Sequence, residues 1–273
     1  MSASLSISLR RAKANKKLIS MSQQGENVSF MDKLDSFIDM AREVVEIAPP
    51  DDPDRIIWLH ELGNTLRRRF TDTGVLADLE DSIKVGQEAV DTAPNDYIHR
   101  GALLGSLGAH LAIRFAKTGS LPDLERAMQV TRQAIDVAVD SDDRAARLTH
   151  LANHLGERYK RTGSSIDLEE GIEVAQSAVE LTPLDSLKRL GRLNTLANQL
   201  HARYGRTGIL EELNKVIDIC RSITKAAAEG STNHAVFKSN LAGHLGDRCL
   251  RTGDSNDLNE AIQLAQEALA TLP

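Results

Sequence analysis

The chain has 273 residues, of which 41% are hydrophobic and 26% charged, and its formal net charge is −6 at pH 7. This length can bury a sizeable core, whereas the acidic balance excludes a surface built for a nucleic-acid backbone, which requires clustered Lys and Arg. No apolar run approaches the roughly 18 residues that span a bilayer, and no secretory signal is evident. We therefore expect a cytoplasmic protein with neither a nucleic acid nor a membrane as its partner.

The first 30 residues differ from the rest of the chain in charge and composition. They are rich in Ser and carry five basic residues against a single acid, Glu26, so residues 31–273 hold a net charge of −10. We expect residues 1–30 to form a disordered basic tail. A mitochondrial targeting segment and a tether to a partner or membrane surface are the alternatives.

Residues 31–50 begin a pattern that recurs along the chain. Three of their residues precede identical ones by 45 positions, since Leu34, Ile38 and Pro49 are followed by Leu79, Ile83 and Pro94. Spacings of three and four between apolar residues are typical of one face of a helix. We predict a single helix over residues 31–47, a half repeat that covers the start of an array.

A Thr-Gly dipeptide then recurs five times, and the steps between its glycines are 45, 44, 45 and 45 residues. Leucines stand 12 and 8 residues before every one of these glycines, and another leucine stands five residues after it. A fixed period of 20–50 residues is the signature of stacked repeats. The dipeptides are Thr73-Gly74, Thr118-Gly119, Thr162-Gly163, Thr207-Gly208 and Thr252-Gly253.

Each repeat predicts two helices separated by its Thr-Gly dipeptide. Between residues 55 and 94, one apolar series runs from Trp58 to Phe70 and a second from Leu79 to Val90, and both advance by three or four residues. Gly74 suits the left-handed end of the first helix, and Pro94 ends the second. The predicted pairs are 55–72 with 77–92, 98–117 with 122–138, 143–161 with 166–181, 188–206 with 211–228, and 233–251 with 256–271.

These pairs predict an all-α solenoid. A lone helix pair leaves one apolar face in water, and stacking the next pair buries that face. Residues 31–273 would then form one solenoid domain, with the half repeat 31–50 followed by five repeats of about 45 residues.

The residues within the repeats resemble the tetratricopeptide repeat family. That family pairs Leu with Gly in its first helix, has a Gly at the turn, small residues in its second helix and a Pro at the end. The longer form, Arg-(Phe/Tyr)-x-x-Thr-Gly-x-x-x-Asp-Leu-Glu, is similar to expanded arrays of fungal multidomain proteins that carry CHAT peptidase-like or nucleotide-binding modules. The resemblance implies a right-handed superhelical solenoid of antiparallel helix pairs, with first helices lining a concave groove. The matching residues are Leu62-Gly63, Gly74, Ser82, Gly86, Ala89 and Pro94, and Leu151-Ala152, Gly163, Gly171, Ala175, Ala178 and Pro183.

An Arg stands five residues before every repeated glycine and an acid four residues after it. A charged ladder for a ligand and an ion pair between the two helices are both compatible with this pattern. We favour structural ion pairs, because binding sites usually use residues that differ between repeats. The predicted pairs are Arg69 with Asp78, Arg114 with Asp123, Arg158 with Asp167, Arg203 with Glu212, and Arg248 with Asp257.

The sequence offers little for catalysis or metal binding. It lacks a phosphate-binding loop, a Gly-x-Ser-x-Gly elbow and a Cys-x-x-Cys motif, so we expect no enzymatic activity, no cofactor and no metal. His150 and His154 have the spacing of two metal ligands on one helix, but no third ligand accompanies them. The shared repeat position of His110, His154 and His244 indicates helix packing. Cys220 and Cys249 are too few for a disulfide framework, and we expect both to be buried free thiols in a reducing compartment.

The predicted function is that of a non-catalytic scaffold that binds a peptide or protein in the concave groove. Asn side chains there can hold a peptide backbone through paired hydrogen bonds. The alternatives are a regulatory or sensor arm of a larger effector with a CHAT peptidase-like or nucleotide-binding part, and a metal-dependent enzyme built around His150 and His154. Self-association through the terminal helix is a further expectation. The candidate binding residues are His60, Asn64, Arg67, Asn153, Asn194, Asn198 and His201.

Overall fold

The computed structural model describes residues 29–50 and 52–271, and every regular element in those ranges is an α-helix. The expectation of a disordered tail falls on residues 1–28, outside these ranges, and on Ser29 and Phe30, where α1 begins. None of the helices in these ranges is long and apolar enough to cross a membrane. The helices are α1 Phe30–Ile47, α2 Pro53–Thr73, α3 Leu76–Thr92, α4 Arg100–Thr118, α5 Leu121–Asp136, α6 Ser141–Thr162, α7 Ser165–Glu180, α8 Lys188–Thr207, α9 Leu210–Ala226, α10 Thr232–Thr252 and α11 Ser255–Thr271.

The helices pack in consecutive antiparallel pairs, which confirms the predicted all-α repeat fold. We call α2, α4, α6, α8 and α10 the first helices, and α3, α5, α7, α9 and α11 the second helices. The single helix α1 is the half repeat and packs on α2. The predicted helix bounds differ from the observed ones by at most two residues at either end.

The chain divides after Val137 into two compact units. The N-terminal unit contains α1–α5, and its core includes Leu59, Leu104 and Leu107. The C-terminal unit contains α6–α11, and two clusters of buried residues fill it, one around Leu168 and Ile172 and the other around Leu213 and Ile217. Each leucine of this kind that leaves water contributes roughly 1.5–3 kcal/mol to folding.

The Thr-Gly dipeptide ends each first helix through its backbone and its hydroxyl. Gly119 has φ 73°, a left-handed conformation open to glycine, and its N–H donates to the Phe115 carbonyl at 2.7 Å. The Thr118 hydroxyl donates to the Arg114 carbonyl at 2.8 Å and accepts from the Ser120 amide at 3.2 Å. The dipeptide therefore satisfies backbone groups that a helix end leaves without partners.

Arginines at the junctions between repeats also serve helix ends, a role that the sequence analysis missed. Arg100 donates to the Val90 and Ala93 carbonyls at 3.1 and 2.7 Å, at the C-terminus of α3. Positive charge is favoured there by the helix dipole. Arg55 and Arg189 do the same for α1 and α7.

Candidate partner-binding surfaces

The seven candidate binding residues occupy three repeat positions, which lie 14, 10 and 7 residues before the repeated glycine. Steps of four and three residues place these positions on one stripe of each first helix. The N-terminal unit holds His60, Asn64 and Arg67, and the C-terminal unit holds Asn153, Asn194, Asn198 and His201.

In the N-terminal unit, side chains of the stripe form hydrogen bonds with each other and with the neighbouring first helix. His60 Nε2 lies 2.9 Å from the Ser106 hydroxyl of α4 and 3.1 Å from Asn64 Nδ2. Partial burial lowers the pKa of His60, so the ring is neutral at pH 7. The contact between His60 and Ser106 therefore links α2 to α4, and Asn64 contacts His60 within α2.

Arg67 lies on the wall of a pocket of about 630 Å³. Lys117 from α4 adds a second positive charge, with its Nζ 6.0 Å from the centre of the Phe70 ring. Two cations beside an apolar floor suit a carboxylate next to an apolar side chain. Arg67 could be predicted from the sequence, whereas Lys117, which stands next to the Thr-Gly dipeptide, was not among the candidates. The lining residues are Arg67, Phe70, Thr71, Gly74, Leu76, Ile113 and Lys117.

In the C-terminal unit, Asn153 and Asn198 are exposed at equivalent positions of α6 and α8. These two first helices are in contact, so the two carboxamides lie on neighbouring helices of one stripe. Asn194 accepts a hydrogen bond of 2.8 Å from Asn240 Nδ2 of α10. His201 Nε2 lies 2.7 Å from Asp247 Oδ2, again between a first helix and the next one.

The repeat position nine residues before the glycine, next to the stripe, holds a polar side chain in every first helix. In α8 this residue is Gln199, which is 5% exposed and donates to the Ala152 carbonyl at 2.8 Å. In α4 it is His110, whose Nδ1 lies 3.3 Å from the Ser82 carbonyl. Burial lowers the pKa of His110 to about 4, and it does the same for His154 and His244 at the same repeat position. These side chains are neutral packing elements at pH 7.

The five Arg–acid couples span the turns between paired helices. In four of them the guanidinium contacts both carboxylate oxygens; Arg69, for example, has Nε 2.8 Å and Nη2 2.6 Å from the oxygens of Asp78. Hydrogen bonds from Arg248 lower the pKa of the Asp257 carboxyl. The other two-point couples are Arg114 with Asp123, Arg158 with Asp167, and Arg248 with Asp257.

The fourth couple differs because its acid is a glutamate. Arg203 Nε lies 2.9 Å from Glu212 Oε1, and the second carboxylate oxygen accepts a hydrogen bond from the Thr207 hydroxyl at 2.8 Å. In the other four repeats that threonine donates to the carbonyl of the arginine. Because the glutamate side chain has one more methylene than aspartate, one of its carboxylate oxygens contacts Arg203 and the other contacts Thr207.

The histidines and cysteines that the sequence offered as metal ligands or reactive thiols do not come together in one site. Among the described residues, neither His150 nor His154 belongs to a group of three side chains that could hold a metal. Cys220 is buried, and burial raises the pKa of its thiol to about 12. Cys249 is only half-buried, so the expectation of burial is wrong there. The reason is its repeat position, which Tyr159 and Tyr204 share and which is half-buried throughout the C-terminal unit.

Comparison with solved structures supports the fold. The chain is similar to a protein of Podosopora anserina that carries nearly identical TPR-like repeats, with 16% identity, a TM-score of 0.54, and coverage of 81% of this chain and 96% of that one. It is also similar to BtubC (BKLC) from P. vanneervenii, with 13% identity, a TM-score of 0.58 and 87% of each chain covered. MamA from Desulfovibrio magneticus RS-1 gives 18% identity and a TM-score of 0.51, with 79% of this chain and 96% of that one covered.

These likenesses confirm that the helix pairs form a TPR-like repeat fold. No protein-family model matches the sequence, and no curated protein matches it. At 13–18% identity, the similarity to these solved structures supports the fold alone.

Proposed function

We propose that the chain is a non-catalytic scaffold that binds an extended peptide or protein segment across the first helices of its C-terminal unit. The observation that carries this proposal is the pair of exposed carboxamides, Asn153 and Asn198, at one repeat position of two contacting helices. A carboxamide both donates and accepts hydrogen bonds, as does each residue of an extended peptide backbone. Two such groups on neighbouring helices can therefore hold a backbone at two points.

The surroundings favour a short peptide segment as the ligand of the C-terminal stripe. Asn194 and His201 are held by contacts to α10, so their side chains have fixed positions beside Asn198. Fixed polar groups lose less conformational freedom when a ligand binds. The pocket of Arg67 and Lys117 in the N-terminal unit would take an acidic side chain or a terminal carboxylate.

The proposal is tested with peptides selected by the protein itself. Purified protein is used to select binders from a random-peptide phage library, and the affinity of each synthetic peptide is measured by fluorescence polarisation. In the double variant Asn153→Ala/Asn198→Ala, we expect the peptides to bind about 10–100-fold more weakly, because each lost hydrogen bond costs about 0.5–1.5 kcal/mol.

The matched control removes two exposed carboxamides from second helices, Gln176 of α7 and Asn259 of α11. The variant Gln176→Ala/Asn259→Ala should bind the selected peptides as tightly as the unmodified protein. Equal losses in both double variants, or no loss in the first, would refute binding at the C-terminal stripe.

A specific observation also favours self-association through α11. Leu258 and Ile262 are 47% and 49% exposed, although they occupy repeat positions at which a second helix contacts the next first helix. The equivalent residues of α7 and α9 are 0–3% exposed; they are Leu168, Ile172, Leu213 and Ile217. We propose that a second copy of the chain covers this apolar face.

A further inference from the structure

Three potential metal ligands converge between α8 and α10 in the C-terminal unit. They are His201 of α8 and His244 and Asp247 of α10, and one ligand atom from each lies within 4.8 Å of the other two. His201 Nε2 is 2.7 Å from Asp247 Oδ2, and the rings of His201 and His244 are centred 4.3 Å apart. Ligand atoms on a tetrahedral Zn²⁺ lie about 3.3 Å apart, so small side-chain rotations bring these groups to ligating distance.

His244 is the unusual member of this cluster. Its side chain is 6% exposed, and neither ring nitrogen meets a hydrogen-bonding group within the part of the chain that the structure describes. A buried polar group without a partner costs roughly 1–3 kcal/mol. The equivalent side chains His110 and Gln199 each place one polar atom at a backbone carbonyl and leave one buried polar atom without a partner among the described residues. His244 differs from them because both of its ring nitrogens lack a partner in those same ranges.

A metal ion can also reach the cluster. His201 and Asp247 line a pocket of about 340 Å³ that opens to solvent, together with Tyr204, Gly205, Leu250 and Arg251. Two imidazoles and one carboxylate are the donor set of many zinc sites with three protein ligands, and a solvent molecule takes the fourth position. Imidazole also suits Co²⁺, Ni²⁺ and Cu²⁺, whereas Mg²⁺ and Ca²⁺ prefer oxygen ligands.

We propose that His201, His244 and Asp247 bind one divalent transition-metal ion, which joins the fourth first helix to the fifth. The ion gives the His244 imidazole the partner that it lacks and takes the place of the contact between His201 and Asp247. Because α8 and α10 each supply ligands, the bound ion opposes separation of these helices. This proposal does not rest on peptide binding at Asn153 and Asn198, although it uses His201 of the same stripe.

The test uses the full chain without a polyhistidine tag and titrates it with Co²⁺, followed by competition with Zn²⁺. We expect one equivalent of Co²⁺ to bind with the visible d–d absorption of a low-coordinate site, and Zn²⁺ to bleach it. His244→Gln should weaken Co²⁺ binding by at least about a hundredfold, since loss of outer-shell partners alone costs about 10–100-fold. Glutamine is the natural residue at the equivalent position 199, so this variant is expected to fold.

The matched control is His154→Gln, at the same repeat position in α6. It should bind Co²⁺ as the unmodified protein does. His201→Ala, at a half-buried position, is a second variant that should lose binding, and circular dichroism reports whether each variant is folded. The proposal is overturned if the unmodified protein takes up neither Co²⁺ nor Zn²⁺, if His244→Gln and His201→Ala retain the affinity, or if His154→Gln loses it equally.

Discussion

The guanidinium of Arg158 donates two hydrogen bonds to the carboxylate of Asp167, with Nε 2.8 Å from Oδ2 and Nη2 2.5 Å from Oδ1. The contact crosses the turn from α6 to α7, and Asp167 is only 3% exposed. A bidentate contact fixes both the distance and the angle between its partners. The same two-point contact recurs in four repeats, each time across the turn between paired helices.

Arg158→Ala is expected to destabilise the protein, because it leaves the Asp167 carboxylate buried without its guanidinium. Removing one partner of a buried pair costs about 3–5 kcal/mol, and the partial exposure of Arg158 reduces this to about 2–3 kcal/mol. Urea denaturation measures the loss. Lys160→Ala, which breaks an exposed ion pair with Glu157, is the control and should change stability by less than about 1 kcal/mol.

Glu212→Asp is expected to stabilise the protein by about 0.5–1 kcal/mol, as substitutions toward a consensus often do. The shorter carboxylate can form the two-point contact with Arg203 and release the Thr207 hydroxyl to the helix end. The reciprocal change Asp257→Glu should destabilise the fifth repeat. Melting temperatures of the two variants that move in the same direction would contradict the account of the fourth couple.

Gly156→Ala and Gly171→Ala are expected to destabilise the C-terminal unit by about 1–3 kcal/mol. A Cβ at these positions would lie 2.6 Å from Gln199 Nε2 and 3.0 Å from Gln199 Oε1, so Gln199 would have to leave the Ala152 carbonyl. Gly191→Ala in α8 is the control. Nothing lies within 4 Å of its Cβ, and helix propensity predicts a gain of up to about 1 kcal/mol. Adding Gln199→Ala should relieve much of the loss; an unrelieved loss would contradict the role of Gln199.

His110 is expected to make the stability of the N-terminal unit depend on pH. Burial lowers the pKa of His110 to about 4, whereas the same group in the unfolded chain titrates near 6.5. As the pH falls from 6.5 to 4, the unfolded chain gains a proton that the native chain does not, so the free energy of unfolding decreases. The slope is up to about 1.4 kcal/mol per pH unit. The nearby charged and titratable groups, Arg67 and His60, oppose protonation in the native state.

The variant His110→Gln isolates this effect. Glutamine occupies the equivalent position 199, and it does not titrate. Denaturation curves between pH 7.5 and 4.5 should show a weaker loss of stability on acidification in the variant than in the unmodified protein. Parallel pH profiles would mean that His110 does not carry the dependence.

The helices could be predicted from the sequence because the apolar residues of each helix recur at spacings of three and four. Leu62, Leu107 and Leu151 share a repeat position, and all are 3% exposed or less. The turns followed from Thr-Gly, whose left-handed glycine is a property of the residue itself. The junction arginines Arg55 and Arg100 were equally periodic, but their targets are backbone carbonyls, which no side-chain pattern reveals.

The candidate sites were less predictable, because they depend on which side chains meet across repeats. His201 and Asp247 lie 46 residues apart and at different repeat positions, so a position-by-position comparison of the repeats does not pair them. Lys117 reaches the Phe70 ring only because α2 and α4 stand side by side. These contacts come from the offset between neighbouring helices, which the sequence period does not specify.

The apolar face of α11 is expected to make the protein self-associate. Leu258 and Ile262 together expose side chains that the repeat pattern buries elsewhere, and burial of such surface drives association at about 25 cal/mol per Å². Light scattering should show a molar mass that rises with concentration toward twice that of the 29.8 kDa chain. Leu258→Ser/Ile262→Ser should remain monomeric, whereas Ile166→Ser, at an exposed apolar residue of α7, should associate like the unmodified protein. A constant mass of one chain up to the highest soluble concentration would refute self-association through α11.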